Sequence, residues 1–398
     1  MAPGSEELLV EAQKLLPDLV QLRRLLHRRP EAGLNLPETQ STVVEALRRL
    51  PLKITTGKKL SSVVAVLEGN RPGRTVLLRA DMDALKMQEA TGLAYASEIA
   101  GVMHACGHDC HTAMLVGAAR LLAAHRDSLA GRVIFAFQPG EEGYAGARTM
   151  IEEGLLDHYG SPDVAFAIHM SPRAPSGEAF TRAGALMAGA GMFRVQVKGR
   201  GGHPAEPHHA IDPIPIAAEI VLALQSYVTR RVKALEPAVV TVTSLLAGSH
   251  DLGAIPESAT LTGTIRAVSE ETRMRLFNAV GELAGHIAAG HEAEADVKID
   301  QGYPPVINDP GIVEAVAGVS RRLLGKEHFQ LLPTPILPSE DFSYILQRVR
   351  GAMIFLGAAP EGEGPIADVH SPGLILNEGA MAVGAALHTA VALHWLQP

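Results

Sequence analysis

The chain has 398 residues, of which 47% are hydrophobic and 20% charged, an ordinary globular composition that excludes a disordered chain and a coiled coil. At roughly 100–200 residues per domain, this length predicts two or three domains. Lys plus Arg number 35 against 43 Asp plus Glu, a net charge of −8 with His neutral, so nucleic acid is not expected as a partner.

The N-terminal segment carries Glu6, Glu7 and Glu11, where an export signal would carry positive charge. Apolar runs such as 214–224 are interrupted before they reach the roughly 18 residues of a membrane span. Only two cysteines occur, Cys106 and Cys110, which excludes a disulfide framework and is typical of a reducing compartment. We therefore expect a cytoplasmic protein with no membrane partner.

The first part of the chain predicts an α/β domain. Leucines at helical spacing over 8–27 predict an opening helix, in which Pro17 marks a break or a fresh start. Short β-branched or aromatic runs then alternate with helical stretches such as 112–124, which predicts a sheet covered by helices on both faces. These runs lie at 62–67, 75–79, 132–137, 164–169 and 352–356.

The pattern changes near Gly191. Strands are predicted at 192–198, 239–245, 260–268 and 293–300, with helices at 213–231 and 271–289. Strand-helix-strand-strand-helix-strand is the order of a ferredoxin-like module. We expect a catalytic α/β domain with a mixed sheet at 1–187 and 302–398, and an inserted ferredoxin-like domain at 188–301.

Residues 104–111 hold a dense cluster of polar side chains. Its six metal-binding or proton-transferring residues are His104, Cys106, His108, Asp109, Cys110 and His111. Cys106 and His108 flank Gly107, and they converge on one ion only in an extended or turning backbone. We therefore expect the following helix to begin at Thr112. The cluster is interpreted as a metal site rather than as helix caps or surface histidines, and Cys110 as a packed apolar residue.

Two glutamates follow the predicted strand at 132–137. Glu141 and Glu142 stand beyond its carboxyl end, where open α/β sheets bind ligands. Adjacent side chains point in different directions, so one can ligate a metal while the other faces a substrate. Standing alone, the pair would fit solvated loop acids equally well. His169 ends another strand and His370 lies in a later loop, and a shared site explains all these segments.

Five motifs resemble the M20 metallopeptidase family. They are His-Ala-Cys-Gly-His-Asp-Cys-His-Thr at 104–112, Gln-Pro-Gly-Glu-Glu-Gly at 138–143, Gly-Gly-His-Pro-Ala-Glu-Pro-His at 201–208, Ser-Glu-Asp-Phe at 339–342 and His-Ser-Pro at 370–372. The resemblance is to the amidohydrolase branch, which contains N-acyl-amino-acid, hippurate and auxin-conjugate hydrolases. It runs from Leu22 to Glu378.

The resemblance implies a hydrolase with two divalent metal ions per subunit. The ligands would be Cys106, His108, Glu142, His169 and His370. Glu141 would be the general base, and Asp83 would orient a ligand. His203 would stabilise the tetrahedral oxyanion, and Arg266 would hold the substrate carboxylate.

The metal and its coordination are only partly specified. Zn²⁺ is the expected ion for thiolate, imidazole and carboxylate ligands, with Mn²⁺ and Co²⁺ as alternatives. Which residue bridges the two ions stays open, and the Cys106 thiolate is chemically the easiest choice. The resemblance also implies that the inserted domain is a lid and the surface of a homodimer or higher homo-oligomer.

The substrate is the least determined feature. Gly253-Ala254-Ile255-Pro256 stands where family members commonly have Asn-Val-Ile-Pro, so a polar side chain expected near the substrate is missing. The leading hypothesis is an amidohydrolase that removes the acyl group from a small N-acyl amino acid. The alternatives are a dipeptidase or carboxypeptidase of the same fold, and a catalytically inactive metal-binding homologue. The presence of both Glu141 and Glu142 disfavours the inactive protein.

Overall fold

The computed structural model describes residues 4–248, 253–362 and 366–397. They form two compact units. The first lies within 1–184, 307–334 and 341–398, and the second within 185–306 and 335–340. No helix in these described ranges combines the length and apolar character needed to cross a membrane.

Strands and helices follow one another along the chain. The strands are β1 (Lys53–Thr56), β2 (Val63–Glu68), β3 (Arg71–Asp81), β4 (Ala130–Gln138), β5 (Val164–Ser171), β6 (Ala179–Thr181), β7 (Gly184–Met187), β8 (Gly189–Lys198), β9 (Ala238–Ala247), β10 (Ser258–Ala267), β11 (Glu294–Asp300), β12 (Val306–Asn308), β13 (Phe329–Leu331) and β14 (Gly351–Gly357). The helices are α1 (Ser5–Arg28), α2 (Pro37–Leu47), α3 (His108–Ala124), α4 (Gly146–Glu152), α5 (Pro213–Arg231), α6 (Glu270–Gly290), α7 (Pro310–Leu324), α8 (Ser343–Leu346) and α9 (Ala380–Trp395).

The first unit is built on a mixed eight-stranded sheet with the order β1-β2-β4-β3-β5-β14-β6-β13. Its central strands β4, β3, β5 and β14 are parallel. β1 pairs antiparallel with β2, and β2 with β4, whereas β6 is antiparallel to β14 and parallel to β13. Every residue of β14 is buried. Because successive residues of a strand face opposite sides, both faces of the sheet are covered there. The mixed α/β class predicted from the sequence is confirmed.

The opening helix is continuous, so the predicted break at Pro17 is wrong. α1 runs from Ser5 to Arg28 with Pro17 in its interior. Pro17 is exposed, so the carbonyl that loses its hydrogen bond can face water. The opposite side of the helix carries buried leucines such as Leu19 and Leu22, and it packs against α3 and α9.

The predicted start of the third helix at Thr112 is also wrong. α3 begins at His108, and Gly107 caps it with φ = 85°. Glycine takes a left-handed backbone without steric strain, so the chain can change direction at Gly107. The helix therefore begins four residues earlier than expected. His108 and Asp109 consequently lie in the first helical turn, and both are buried.

The second unit contains the order strand-helix-strand-strand-helix-strand, formed by β8, α5, β9, β10, α6 and β11. Its four-stranded antiparallel sheet has the order β11-β8-β10-β9. Buried residues alternate along β8 and β10, because α5 and α6 pack on one face of this sheet. A separate apolar core, which includes Phe193, Leu261 and Phe277, fills the space between these helices and the sheet.

Candidate metal centre

The candidate site residues of the first unit gather at the carboxyl edge of the large sheet. The parallel strands β3, β4, β5 and β14 direct their following segments to this edge. Asp83 follows β3, Glu141 and Glu142 follow β4, and His169 lies near the end of β5. The start of α3 supplies the remaining side chains.

A glycine shapes the turn that carries Cys106 and His108. At its φ of 85°, residues with a Cβ are strained. A Cβ on Gly107 would also stand 2.7 Å from Leu376 Cδ1. The turn therefore depends on glycine, and it brings the side chains on either side of Gly107 to one point.

Three side chains form a first group of candidate ligands. Single ligand atoms of Cys106, His108 and His169 lie within 4.8 Å of one another, and Cys106 Sγ is 3.4 Å from His169 Nε2. His169 Nδ1 donates to the Met170 carbonyl at 2.7 Å, and His108 Nδ1 donates to the Asp83 carbonyl at 2.8 Å. Each ring therefore turns its Nε2 toward the group. Burial lowers the pKa of His169 to about 3, so its imidazole is neutral.

A second group shares the thiol. Ligand atoms of Cys106, Glu142 and His370 lie within 4.8 Å of one another, and His370 Nε2 is 3.2 Å from Glu142 Oε1. His370 has a left-handed backbone with φ = 62°, which its N–H stabilises by donating to the Ala105 carbonyl at 2.7 Å. Hydrogen bonds to Cys106 and Glu142 raise the pKa of His370 to about 10. Cys106 is thus the side chain common to both groups.

The surroundings of His108 favour a positive charge at its Nε2. Burial by itself would lower the pKa of His108, but the nearby carboxylate of Asp81 and the thiol of Cys106 raise it well above the ordinary value. Among the described residues, none makes a hydrogen bond with this buried nitrogen. A divalent ion satisfies both the charge and the lone pair. The thiol, imidazole and carboxylate side chains therefore fit divalent metal ions.

Asp83 binds the turn that carries the two glutamates. Its carboxylate accepts the N–H of Glu141 at 2.9 Å and the N–H of Glu142 at 3.0 Å. Its carbonyl accepts Nδ1–H of His108. Asp83 therefore contacts a candidate ligand and the candidate base at the same time. The Glu141 side chain is buried and lies in one group with His108 and Glu142.

Asp81 carries no signal in the sequence that distinguishes it from its neighbours, whereas His111 belongs to the cluster of metal-binding residue types at 104–111. Asp81 accepts from His111 Nδ1 at 2.5 Å and from Arg79 at 2.7 Å. Burial opposes ionisation of Asp81, but Arg79 and the flanking imidazoles hold its pKa well below the ordinary value. His111 Nε2 accepts the N–H of Met170 at 2.8 Å. Ligand atoms of Asp81, His108 and His111 also lie within 4.8 Å of one another, but protein groups occupy both ring nitrogens of His111, so neither nitrogen is left for a metal in this arrangement.

Two further residues of the cluster, His104 and Cys110, face the interior. His104 is buried and is absent from the candidate ligand groups found among the described residues; burial lowers its pKa to about 3. Cys110 packs in the main apolar core, and burial raises the pKa of its thiol. The interpretation of Cys110 as a packed apolar residue agrees with this position.

A buried ionic network holds the first turn of α3. Arg23 of α1 donates to Asp109 at 2.6 Å and to Glu378 at 3.2 Å. His27 Nδ1 lies 2.8 Å from the same Asp109 oxygen. Burial opposes the charge on Asp109, but Arg23 and His27 lower its pKa below the ordinary value. The signal available in the sequence was the pairing of Arg23 and His27 on one face of a helix, four residues apart.

His203 and Arg266 belong to the second unit. His203 is exposed in the loop after β8, and its Nδ1 accepts the N–H of Ala205 at 3.1 Å, so the neutral ring carries its proton on Nε2. Arg266 lies on β10 and donates to Ser339 Oγ at 3.2 Å. Burial lowers the pKa of its guanidinium, and no carboxylate in the described ranges forms an ion pair with it.

Comparisons with known proteins agree with a hydrolytic site. The sequence pattern of peptidase family M20/M25/M40 matches residues 77–394. An IAA-amino acid hydrolase of Arabidopsis thaliana (ILR1-like 2) is 39% identical over 95% of this chain and 85% of its own length. An N-acetyl-L-cysteine deacetylase of Bacillus subtilis is 36% identical over 94% of this chain and 86% of its own.

A solved structure shows the same fold. The YXEP protein of Bacillus subtilis, described as a dinuclear metal binding peptidase, superposes with a TM-score of 0.81 at 32% identity. The superposition covers 96% of this chain and 98% of that one. The dinuclear description of that protein is compatible with two candidate ligand groups that share one thiol.

Asp83→Ala should loosen the turn that carries the two glutamates. Hydrogen bonds to a charged acceptor contribute about 1.5–3 kcal/mol, so hydrogen exchange at the amides of Glu141 and Glu142 should accelerate by about tenfold or more. Asp163→Ala is a matched control, because the Asp163 carboxylate accepts the N–H of Thr75 at 2.7 Å. This control should accelerate exchange at Thr75 alone. Unchanged exchange at residues 141 and 142 in Asp83→Ala would contradict the assignment.

Proposed function

Because the chain belongs to peptidase family M20/M25/M40 and is therefore a metal-dependent hydrolase, we propose that it cleaves the amide bond of N-acyl amino acids. The observation that carries this proposal is the convergence of two candidate ligand groups on Cys106, beside the buried Glu141. The relatives named for the hydrolysis of amino-acid conjugates and for deacetylation support the substrate class.

We assign the metal ligands to the residues of the two groups. They are Cys106, His108 and His169 in the first group, and Cys106, Glu142 and His370 in the second. Cys106 belongs to both groups, so its thiolate is the side chain that would serve both ions. When bound, two divalent ions, Zn²⁺ or alternatively Mn²⁺ or Co²⁺, supply the Lewis acidity that lowers the pKa of water and polarises the substrate carbonyl.

Glu141 is the proposed general base. It takes the proton of the attacking water and later delivers it to the leaving amine. Its backbone N–H donates to the Asp83 carboxylate at 2.9 Å, which fixes the main chain from which the Glu141 side chain extends. Asp83 thereby couples the base to His108, whose ring it orients through its carbonyl.

Residues of the second unit complete the proposal. His203 would donate Nε2–H to the developing oxyanion, and the hydrogen bond from Ala205 to its Nδ1 supports the required tautomer. Arg266 would bind the substrate carboxylate, and its half-buried guanidinium without an acidic partner in the described ranges supports that role.

The organisation of the protein is proposed on the same basis. Residues 188–301 would form an inserted lid domain that also mediates a homodimer, and sedimentation of the full chain as a monomer would overturn that assembly. Both cysteines are free thiols, and a thiol ligand must stay reduced, which supports the cytoplasm as the compartment.

Chelation should abolish activity. Full-length protein stripped of metal should lose hydrolysis of N-acyl amino acids, and Zn²⁺, Mn²⁺ or Co²⁺ should restore it. The measurement is turnover on a panel of N-acyl amino acids and dipeptides. Preferential cleavage of dipeptides would replace the proposed substrate by a peptide, whereas full activity of exhaustively demetallated protein would exclude the metal mechanism.

The two glutamates should respond differently to amidation. Glu141→Gln should lower kcat by roughly 10²–10⁴ with unchanged metal content, because it removes the base alone. Glu142→Gln should lose metal as well as activity, because it removes a ligand. Steady-state kinetics and elemental analysis of both variants check this, and the reverse pattern would exchange the two roles.

The second unit should contribute to two separate kinetic constants. His203→Ala should lower kcat by roughly 10²–10³ through the lost oxyanion contact. Arg266→Ala should mainly raise KM for substrates with a free carboxylate and change it much less for the corresponding amides. Metal content and folding should stay unchanged in both variants. An equal effect of Arg266→Ala on acids and amides would rule out the carboxylate anchor.

A further inference from the structure

Near the candidate ligands, the hydrogen-bonded pairing between β3 and β5 ends before the two strands do. β3 pairs with β4 as far as Asp81 and Gln138, but its pairing with β5 ends earlier, at Arg79 and Ala167. Beyond that point, the N–H of Met170 in β5 donates to the ring of His111 at 2.8 Å. A side chain of α3 thus occupies the place of a neighbouring strand.

The hydrogen bonds define the tautomer of His111. An amide N–H only donates, so Nε2 of His111 must be unprotonated to accept it. The ring proton therefore lies on Nδ1 and is donated to Asp81 at 2.5 Å. The other oxygen of Asp81 accepts a hydrogen bond from Arg79 at 2.7 Å, so both carboxylate oxygens act as acceptors. His111 and Asp81 are both fully buried.

The ring of His111 lies beside both candidate ligand histidines. Its centroid is 4.7 Å from that of His169 and 5.4 Å from that of His108. His169 adjoins Met170 in β5, and His108 stands one helical turn before His111 in α3. The chain Asp81–His111–Met170 therefore ties the start of α3 to the end of β5, and these are the two elements that carry the ligand histidines.

We infer that His111, held as its Nδ1–H tautomer by Asp81, is a positioning residue that sets the separation between the imidazoles of His108 and His169 and is not itself a metal ligand. This inference rests on the proposed metal centre. A ligand role for His111 would require it to release either the Met170 N–H or the Asp81 carboxylate, and each of these buried groups would then lose its partner. If His111 only filled space in the core, it would need neither of these hydrogen bonds.

The tautomer is tested first on the wild-type protein. Nitrogen NMR of the full-length, zinc-loaded chain with ¹⁵N-labelled histidine distinguishes protonated from unprotonated ring nitrogens, and the His111 signals are those absent from His111→Gln. We expect a protonated Nδ1 and an unprotonated Nε2 without zinc coordination. A protonated Nε2, or a zinc-bound ring, overturns the inference.

Metal affinity of variants tests the positioning role. His111→Leu keeps the volume but loses both hydrogen bonds, and its affinity for Zn²⁺, measured by competition with a chromophoric chelator, should fall roughly 10–100-fold. His111→Gln retains an acceptor for Met170 and a donor for Asp81, so it should recover most of the affinity. His388→Leu is the matched control, because it removes another buried imidazole that packs on Phe166; its affinity should equal that of the wild type.

The outcomes separate this inference from the proposed function. Wild-type affinity in His111→Leu, or an equal loss in His111→Gln and His111→Leu, overturns the positioning role while the metal centre stands. Failure of the wild-type chain to bind Zn²⁺ at all overturns the metal centre itself. If His111→Leu does not fold, the affinity of His111→Gln and the tautomer measurement still decide the question.

Discussion

Burying an imidazole or a carboxylate without a hydrogen-bond partner costs free energy, and the positions of His108, His169 and Asp83 follow from how this cost is avoided. His108 and His169 avoid it with main-chain carbonyls, and Asp83 avoids it with two main-chain amides. Because these partners belong to the ends of the strands and the turns after them, the sheet itself determines where the side chains stand. The main-chain hydrogen bonds do not use Nε2 of His108, Nε2 of His169 or the sulfur of Cys106, and these are the atoms that lie close together.

Buried ion pairs add a second constraint at the helix that carries His108. The Arg23–Asp109 pair is 2% and 0% exposed, whereas the Arg120–Asp18 pair is 28% and 62% exposed. Removing one partner of a buried pair costs about 3–5 kcal/mol, because the other charge is left without a partner. An exposed pair contributes about 0–1 kcal/mol. The buried network is therefore best understood as specifying how α1 meets the first turn of α3, and hence where His108 lies.

The residues with proposed chemical roles are distributed unequally between the two units. Every proposed metal ligand and the proposed base belong to the first unit, whose central strands β4 and β14 are buried on both faces. The second unit has its own apolar core and one sheet face covered by helices. A unit with an independent core can keep its shape while the first unit holds the ligands. The proposed roles of His203 and Arg266 in substrate binding, apart from the metal ligands, require such independence.

Elements whose signals are local can be read from the amino-acid order alone. The helix Pro213–Arg231 was predicted with both of its ends, because Pro at its first position and the apolar spacing act within the helix. The strands at 132–137 and 164–169 are predicted from their β-branched and aromatic runs. The residues that lie together around Cys106 are indicated by their chemistry next to predicted strands, and their assignment as one ligand set comes from the resemblance to the M20 family. Side-chain chemistry and its position after buried strands are both readable along the chain.

Features that depend on distant segments become visible only in the folded chain. Pro17 does not break α1, because its exposed position leaves the buried face intact. α3 begins at His108, because Gly107 takes a left-handed conformation at a point where Leu376 leaves no room for a Cβ. Whether a histidine of the cluster is available to a metal depends on what faces its ring: Asp81 and Met170 occupy both nitrogens of His111, whereas His108 keeps its Nε2 toward the ligand group. Such partners are dozens of residues away, so spacing within the motif carries no information about them.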